Sequence, residues 1–230
     1  MLGGFAAIAL LLAPCAAAET VLLRAADGTP LSAVWHAPPR QAPAVLLVHM
    51  LTRTHREWDV AVPSLRAAGL GVLAIDLRGH GASGGSWAAG LSPLQQDVQA
   101  ALAWLTARSD VQAGRVGIAG ASLGATLAVL GAASNQAVRS LVLISPASDY
   151  RGVRCEAAMR KFAQRSGAAL LVAATGDPYA SRSARALAEI TPGTREVRLV
   201  EGSAAHGTAL LLSHPDLLAT LVDWFQKTLL

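Results

Sequence analysis

The feature that most constrains the fold of this chain is an alternation of short, continuously apolar runs with longer segments of helical periodicity. Runs that are apolar at every position, rather than at every second one, are typical of strands covered on both faces. Their alternation with helices indicates a parallel sheet whose strands are joined by right-handed helical crossovers. The predicted strands are residues 44–49, 71–76, 115–119, 138–144, 168–174 and 196–200, and the predicted helices are 55–68, 91–108, 122–134, 178–190 and 206–228.

Two further strand-like segments, 20–24 and 31–36, flank the pair Asp27-Gly28. An Asp-Gly pair between two strands is a strong hairpin signal. We therefore predict an α/β fold in which an antiparallel N-terminal hairpin adjoins a mostly parallel central sheet with helices on both faces. No repeat or linker interrupts residues 19–230, so these residues are predicted to form one domain.

Residues 1–18 have the pattern of a secretory signal peptide. No charged side chain precedes Glu19, and an apolar run ends at Pro14, shortly before three consecutive alanines. We predict cleavage after Ala18 and export of the mature protein to the periplasm or the medium. A lipid anchor on Cys15 is the less favoured alternative, because Pro14 stands where a small residue is expected. No later segment keeps about 18 consecutive apolar residues, so no transmembrane span is predicted after signal removal.

Composition limits the class of protein further. With 53% hydrophobic and 15% charged residues, the chain is neither disordered nor a coiled coil. Its net charge of +4 is mostly dispersed, so no nucleic-acid partner is expected. Cys155 is alone after signal removal, and no His or Cys pair has zinc-ligand spacing, so no disulfide, metal or other cofactor is expected. One basic cluster is predicted to form the solvated face of a helix, with an anion-binding patch as the alternative: Arg151, Arg154, Arg160, Lys161 and Arg165.

The segment Gly120-Ala121-Ser122-Leu123-Gly124 matches the G-x-S-x-G pattern of a nucleophile elbow, in which a serine lies on a strained turn between a strand and a helix. Ser122 follows a predicted strand and opens a helix of small residues, whose N-terminal amides stabilise a developing oxyanion. The flanking glycines fit a turn that neighbouring backbone approaches closely. Ser83 lies in a second copy of the pattern, but no predicted strand precedes it and no helix follows it. We interpret Ser83 as a loop residue.

From residue 20 onward the chain resembles the α/β-hydrolase fold, and in particular its dienelactone-hydrolase and small-carboxylesterase branch. In that family the nucleophile, the acid and the histidine follow one another along the chain, and Ser122, Asp177 and His206 occur here in that order. Asp177 follows one predicted strand and His206 follows the next. Ligands of such a sheet bind at the carboxyl ends of its strands, so the three side chains are predicted to meet there.

These residue types have complementary roles in hydrolysis. A serine hydroxyl is a weak nucleophile at neutral pH and needs a base, for which His206 is the candidate. A carboxylate at Asp177 would fix the tautomer of the imidazole and stabilise the imidazolium. The backbone amides of Leu51 and Leu123 are the predicted donors of the oxyanion hole.

Each assignment has an alternative in the sequence. Asp149 also follows a predicted strand, at a position where some family members carry the acid, and His214 is a second candidate base. His49 and His80 are interpreted as structural. The family often has His-Gly where this chain has His49-Met50, so Met50 limits the backbone conformations of the oxyanion loop that a glycine would permit.

We therefore predict a serine hydrolase that cleaves a small-molecule carboxylic ester through an acyl-serine intermediate. A peptidase or thioesterase on the same fold, or a non-catalytic binding module, is the alternative. A nicotinamide-binding Rossmann domain is not favoured, because Gly117, Gly120 and Gly124 lack the G-x-G-x-x-G spacing.

The segment that normally selects the substrate is short in this chain. Residues 146–167 have room for one short helix, which indicates a minimal lid and an open, shallow site. Arg151 and Arg154 lie in this segment, so a preference for esters that carry a carboxylate is a further hypothesis.

Overall fold

An eight-stranded sheet forms the centre of the protein in a computed structural model that describes residues 18–230. Residues 1–17, which belong to the predicted signal peptide and include Cys15, lie outside the described residues. The strands of the large sheet are β1 (Glu19–Arg24), β2 (Pro30–His36), β3 (Ala42–Val48), β4 (Gly71–Ile75), β5 (Val111–Ala121), β6 (Val138–Ile144), β9 (Ala168–Ala174) and β10 (Arg195–Val200), and a separate small sheet pairs β7 (Asp149–Tyr150) with β8 (Val153–Arg154).

The order of strands across the large sheet is β1-β2-β4-β3-β5-β6-β9-β10. The two strands at the N-terminal edge, β1 and β2, are antiparallel, and β2 is also antiparallel to β4. From β4 to β10 all neighbours are parallel. The predicted hairpin and the mostly parallel sheet are therefore confirmed, and the hairpin turn contains Gly28 at φ +84°.

Helices cover both faces of the sheet. They are α1 (Val62–Ala67), α2 (Leu91–Thr106), α3 (Leu123–Ser134), α4 (Glu156–Ala163), α5 (Pro178–Glu189), α6 (Ala209–Ser213) and α7 (Asp216–Leu229), with 3₁₀ turns at His55–Trp58 and Trp87–Ala89. Side chains of α2 to α5 belong to the core on one face, and those of α1, α6 and α7 to the core on the other. Within residues 18–230, no helix is both long enough and apolar enough to cross a membrane.

The central strand β3 explains why the buried runs are apolar at every position. Leu46 and Val48 pack into the core under α2 to α5, whereas Val45 and Leu47 pack into the opposite core. Successive side chains of a strand point to opposite faces, and both faces are covered here.

Two of the predicted helices are interrupted. The segment 206–228 forms α6 and α7 as separate helices, and His206 precedes α6 instead of beginning a long helix. The break lies at Pro215, because the residue before a proline is disfavoured in helical conformation, and His214 adopts φ −133° and ψ 81°. The segment 55–68 likewise divides into a 3₁₀ turn and α1.

The connection between β6 and β9 is as short as the sequence predicts, and it contains α4 as its one helix. It also contains the small β7–β8 pair, which the sequence analysis does not predict. A strand pair of two residues each is too short to give a recognisable alternation of apolar and polar residues.

Candidate active site

Ser122 lies on a sharp turn between β5 and α3, where its backbone adopts φ 51° and ψ −114°. A non-glycine residue at positive φ is strained and persists only where its surroundings hold it. Here backbone contacts leave no room for side chains beside the turn. A Cβ on Gly120 would lie 2.2 Å from the carbonyl oxygen of Gly124, and a Cβ on Gly124 would lie 2.2 Å from that of Val48. Sterics therefore require both glycines of the motif.

The hydroxyl of Ser122 faces the imidazole of His206, with Oγ 2.8 Å from Nε2. The other ring nitrogen, Nδ1, lies 2.5 Å from Oδ2 of Asp177. When Nδ1 keeps its proton and donates a hydrogen bond to the carboxylate, Nε2 can accept the proton of the serine hydroxyl. The side chain of His206 is 50% exposed and that of Asp177 is 16% exposed, so the site is open to solvent on the side of the imidazole.

Asp177 and His206 meet because β9 and β10 are parallel neighbours in the sheet. The loops after these strands are also joined, since the amide of Gly176 donates to the carbonyl of Ser203 at 2.8 Å. Oδ1 of Asp177 accepts a hydrogen bond from the amide of Ala180 at 3.2 Å and so caps α5. With Oδ1 held by the helix, Oδ2 is directed to the imidazole.

Ser145 fixes the residue after His206, and sequence reasoning missed this role. Its Oγ accepts a hydrogen bond from the amide of Gly207 at 2.9 Å, and its own amide donates to the carbonyl of Val172 at 2.7 Å. Ser145 is buried and adopts φ 48°. No local pattern marks the contact with Gly207, because the two residues are 62 positions apart.

Two backbone amides beside Ser122 are available to a ligand. Leu123 is the first residue of α3, so its amide has no acceptor within the helix. Leu51 follows β3, and its amide donates to no acceptor within residues 18–230. The side chains of Leu51 and Leu123 line the same cavity. These are the two residues that the sequence analysis assigns to the oxyanion hole.

Met50 is accommodated without a glycine in the loop after β3, residues 49–52, which the sequence predicts to carry the oxyanion hole and which we call the oxyanion loop. The loop residue with positive φ is Thr52, at 63°, and Met50 is not at positive φ. The amide of Met50 donates to Oε1 of Glu57 at 2.9 Å. Its sulfur packs against Gly207, where a Cβ would lie 2.5 Å from Sδ. Met50 thereby joins the oxyanion loop to the loop that carries His206.

Glu57, which anchors Met50, is a second residue that sequence reasoning missed. It lies in the 3₁₀ turn before α1 and lines an open cavity of about 600 Å³ together with Arg53 and Thr208. Burial raises the pKa of Glu57 to about 7, although the hydrogen bond from Met50 and the charge of Arg53 both oppose this shift. The carboxyl group that holds the oxyanion loop therefore titrates near neutral pH.

Asp149 and His214, the alternative acid and the alternative base, do not take part in the hydrogen bonds of Ser122 and His206. Oδ1 of Asp149 accepts a hydrogen bond from the amide of Gly152 at 2.7 Å, and Oδ2 lies 3.9 Å from Nε of Arg154. His214 lies at the end of α6. The Ser122 hydroxyl is hydrogen-bonded to His206 and not to His214.

His49 and His80 hold backbone groups near the oxyanion loop. Nε2 of His49 accepts a hydrogen bond from the amide of Leu77 at 2.9 Å, and burial lowers the pKa of His49 to about 4. Nε2 of His80 accepts from the amide of Thr52 at 3.1 Å. Both rings accept hydrogen bonds from backbone amides, consistent with the structural interpretation.

Ser83, in the second G-x-S-x-G pattern, has no imidazole partner and is tied to the backbone. Its Oγ accepts from the amide of Ser32 at 2.8 Å and donates to the carbonyl of Asp76 at 2.6 Å. Its hydroxyl proton is thus engaged in a structural hydrogen bond.

The basic cluster of the sequence is divided among separate contacts. Arg154 approaches Asp149, and Arg165 donates to the carbonyl of Ala132. Arg160 and Lys161 lie on the exposed face of α4, whose other face is buried.

Among residues 18–230, no group of three or more His, Cys, Asp and Glu side chains is arranged to hold a metal ion. Cys155 is buried, and burial raises the pKa of its thiol to about 11. A thiol with such a pKa is almost entirely protonated at neutral pH and is a poor nucleophile.

The strand order, the helices on both faces and the elbow at Ser122 define the α/β-hydrolase fold. Residues 27–209 match the model of the X-Pro dipeptidyl-peptidase (S15) family, and the chain belongs to that family. The chain accordingly has the α/β-hydrolase fold.

Comparisons with solved structures agree on the fold. The esterase Pf2001 of Pyrococcus furiosus superposes with a TM-score of 0.78 at 16% identity, over 93% of this chain and 91% of the esterase. The dienelactone hydrolase of Anabaena variabilis gives a TM-score of 0.73 at 20% identity, over 93% of this chain and 99% of that protein. Two uncharacterized proteins of Mycobacterium tuberculosis, MT2364 and Rv2307c, are 34% identical over 133 residues, which are 56% of this chain and 46% of each relative. The match thus spans about half the length of these relatives.

Proposed function

We propose that the protein is a serine hydrolase that cleaves small-molecule carboxylic esters through an acyl-serine intermediate. The observation that carries the proposal is the pair of hydrogen bonds that connects Ser122 to His206 and His206 to Asp177, with the serine on a strained turn. A hydroxyl bonded to an imidazole whose far nitrogen is bonded to a carboxylate is the arrangement that activates a serine for acyl transfer.

In the first half of the reaction, Oγ of Ser122 attacks the ester carbonyl while Nε2 of His206 takes the hydroxyl proton. The carbonyl oxygen becomes an oxyanion, to which the amides of Leu51 and Leu123 donate. Each such donor contributes about 3 kcal/mol to the stability of the transition state. The carbon–oxygen bond to the alcohol then breaks, and the imidazolium gives its proton to the departing alcohol. Asp177 stabilises the imidazolium and keeps its proton on Nδ1.

In the second half, water replaces the alcohol. His206 takes a proton from a water molecule, whose oxygen attacks the acyl carbon. The bond from that carbon to Oγ of Ser122 breaks, the imidazolium returns a proton to Oγ, and the carboxylic acid leaves. The half-exposed imidazole supports this step, because water can reach it.

A peptidase is the second candidate, since the family to which the chain belongs is described as X-Pro dipeptidyl-peptidase. The same residues would cleave an amide bond, with Nε2 of His206 protonating the leaving amine. The short β6–β9 connection offers little structure for holding a long peptide, which favours esters. Thioesters remain a third substrate class for the same acyl-serine chemistry.

The test compares p-nitrophenyl acetate with an X-Pro p-nitroanilide in the wild type and in Ser122→Ala. We expect ester turnover that falls at least about 10³-fold in Ser122→Ala, and a kcat/KM for the ester well above that for the anilide. Ser83→Ala, which changes the serine of the other G-x-S-x-G pattern, is the matched control and should retain ester turnover. Turnover of the anilide alone would favour the peptidase, and full activity in Ser122→Ala would refute the proposed nucleophile.

A further inference from the structure

A mainly apolar cavity of about 250 Å³, which Tyr150 and Arg151 also line, adjoins the site. Two of its wall residues, Leu51 and Leu123, are those whose amides are assigned to the oxyanion hole. The cavity therefore begins next to the place where the substrate carbonyl would be held. Its apolar wall comes from four separate parts of the chain: Leu51, Trp87, Leu91, Leu94, Leu123 and Val153.

Hydrogen bonds and close packing hold the wall around Trp87 in place. The amide of Gly79 donates to the carbonyl of Gly84 at 2.9 Å, and the hydroxyl of Ser86 accepts from the amide of Ala88 at 3.3 Å. A Cβ on Gly79 would lie 2.7 Å from the backbone nitrogen of Trp87, so the 3₁₀ turn packs directly on the loop beneath it. These contacts fix the turn that carries Trp87 on one side of the cavity.

Trp87 is unusually open for so large an apolar side chain. It is 38% exposed, whereas Leu94 and Leu123 in the same cavity are 3% and 1% exposed. An indole ring left open beside an apolar cavity provides a surface that an apolar group of a ligand can cover.

The geometry of ester hydrolysis indicates which part of the substrate occupies this cavity. The tetrahedral carbon carries Oγ of Ser122, the oxyanion, the departing alcohol and the acyl chain. The oxyanion lies against the amides of Leu51 and Leu123, and the alcohol must face Nε2 of His206 to receive its proton. The acyl chain is the substituent left to enter the space between the side chains of Leu51 and Leu123.

We infer that the cavity binds the acyl chain, and that the preferred substrates are esters of medium-chain carboxylic acids with about six to eight carbons. This inference rests on the proposed function. The chain length follows from the volume, since 250 Å³ holds roughly eight groups at about 30 Å³ each, the volume of a water molecule.

The first experiment measures kcat/KM for p-nitrophenyl esters from acetate to dodecanoate. Each methylene that is buried in an apolar site raises the apparent affinity about fourfold. Even with incomplete burial, we expect at least about a 30-fold rise from acetate to octanoate and a fall at dodecanoate. A flat series, or one that peaks at acetate, overturns the assignment of the cavity while leaving the hydrolase proposal intact.

Two variants fill the cavity from different sides, Leu91→Trp from α2 and Val153→Trp from β8. The ratio of octanoate to acetate hydrolysis should fall at least about tenfold in each. Leu22→Trp is the matched control, because Leu22 is 68% exposed on the edge strand β1 and its replacement should leave the ratio unchanged. If neither filling variant lowers the ratio, the cavity is not the acyl site.

A binding measurement separates this inference from the hydrolase proposal. Calorimetric titration of the Ser122→Ala variant with octanoic acid should show binding, and the Leu91→Trp change in that background should weaken it at least about tenfold. Acetic acid should bind far more weakly than octanoic acid. Equal binding of the two acids, or no effect of Leu91→Trp, contradicts the inference whether or not the protein hydrolyses esters.

Discussion

Residues near Ser122 make further hydrogen bonds besides those of the Ser122–His206–Asp177 arrangement. Asp177 has one carboxylate oxygen on His206 and the other on the amide of Ala180. Ser145 and Glu57 hold backbone amides on either side of the site. A substitution that removes one contact and keeps the other therefore separates chemistry from folding.

Asp177→Asn is such a substitution. Asparagine caps a helix about as well as aspartate, so the melting temperature should change little. The imidazole of His206 loses the carboxylate that fixes its tautomer, and kcat for ester hydrolysis should fall roughly 10³- to 10⁴-fold. Steady-state kinetics and thermal melts check both expectations.

The matched control for this variant is Asp149→Asn, because Asp149 is the alternative acid and contacts Gly152 and Arg154 instead of His206. It should keep kcat within about twofold of the wild type. A large loss of kcat in Asp149→Asn together with an active Asp177→Asn would exchange the roles of the two carboxylates.

Glu57→Gln should change how stability depends on pH. The pKa of Glu57 is about 7 in the folded protein and 4.5 ordinarily, so between these values the unfolded chain releases a proton that the folded chain keeps. The free energy of unfolding of the wild type therefore falls as pH rises across this window, by up to about 3 kcal/mol from this group. Glutamine does not titrate, and the variant should lose less stability over the same range.

Urea denaturation of both proteins from pH 4.5 to 7.5 measures the difference. His49, whose pKa is lowered to about 4, acts with the opposite sign. The stability that His49 contributes is lost as the pH falls from its ordinary pKa of 6.5 towards 4. His49 is present in both proteins, so its contribution cancels in the comparison. Parallel stability curves for the two proteins would show that Glu57 does not titrate in this range.

At the scale of elements, the central feature is the close approach of α3 to β3 beneath Ser122. Gly124 touches the carbonyl oxygen of Val48, which is backbone and cannot rotate away. Gly131, farther along the same helix, faces Cγ1 of Val98, where an added Cβ would lie 2.8 Å away. The two glycines meet neighbours of different rigidity, so the same substitution has different costs.

Gly124→Ala should lower the free energy of unfolding by about 2–3 kcal/mol or more, because the helix must move away from the sheet. It should also displace Ser122 and reduce ester turnover. Gly131→Ala should cost less than Gly124→Ala, because the added Cβ meets a side-chain methyl of Val98 instead of backbone and because alanine favours the helix. Denaturant titrations of the two variants give the comparison, and equal losses would contradict the steric argument.

Much of the element pattern could be predicted from the sequence. The parallel strands are buried on both faces, so their apolar runs stand out against polar loops, and the strands predicted at 138–144 and 168–174 coincide with β6 and β9. The break of the last helix at Pro215 was open to prediction from the proline itself. The helical periodicity of the apolar residues continues through His214-Pro215 and favours one long helix in the sequence.

Parts of the site depend on contacts between distant residues, and these were not predictable. The hydrogen bond between Ser145 and Gly207 spans 62 positions, and neither residue belongs to a motif. In the sequence, Glu57 lies in a predicted helix, where a glutamate is normally exposed to solvent. Its hydrogen bond with the amide of Met50 depends on how the loop between them folds. Met50 itself departs from the family pattern, yet the positive φ of the loop falls on Thr52.

At the scale of the whole molecule, one ion-pair network ties the N-terminal hairpin to the sheet and to α2. The guanidinium of Arg78 lies 2.7 Å from Asp97 Oδ1 and 2.7 Å from Asp27 Oδ2. Asp97 is fully buried on α2, whereas Asp27 lies in the hairpin turn and is partly exposed. The negative charge of the buried Asp97 carboxylate is balanced by the guanidinium of Arg78.

Arg78→Leu should therefore lower the free energy of unfolding by about 3–5 kcal/mol, because it leaves a buried charge without a partner. Arg198→Leu is the control on an exposed pair, in which Arg198 and Asp216 are 52% and 64% exposed, and it should cost less than about 1 kcal/mol. Denaturation at neutral pH measures both. Equal effects would mean that burial of the pair does not determine its contribution.

The measurement that bears most directly on the proposed chemistry is the mapping of a covalent probe. A fluorophosphonate reacts with a serine whose hydroxyl is activated by a neighbouring base. Mass spectrometry of the labelled and digested protein should find the adduct on the peptide that contains Ser122, and Ser122→Ala should remain unlabelled. An adduct on another residue, or labelling that persists in Ser122→Ala, would contradict the assignment of Ser122 as the nucleophile.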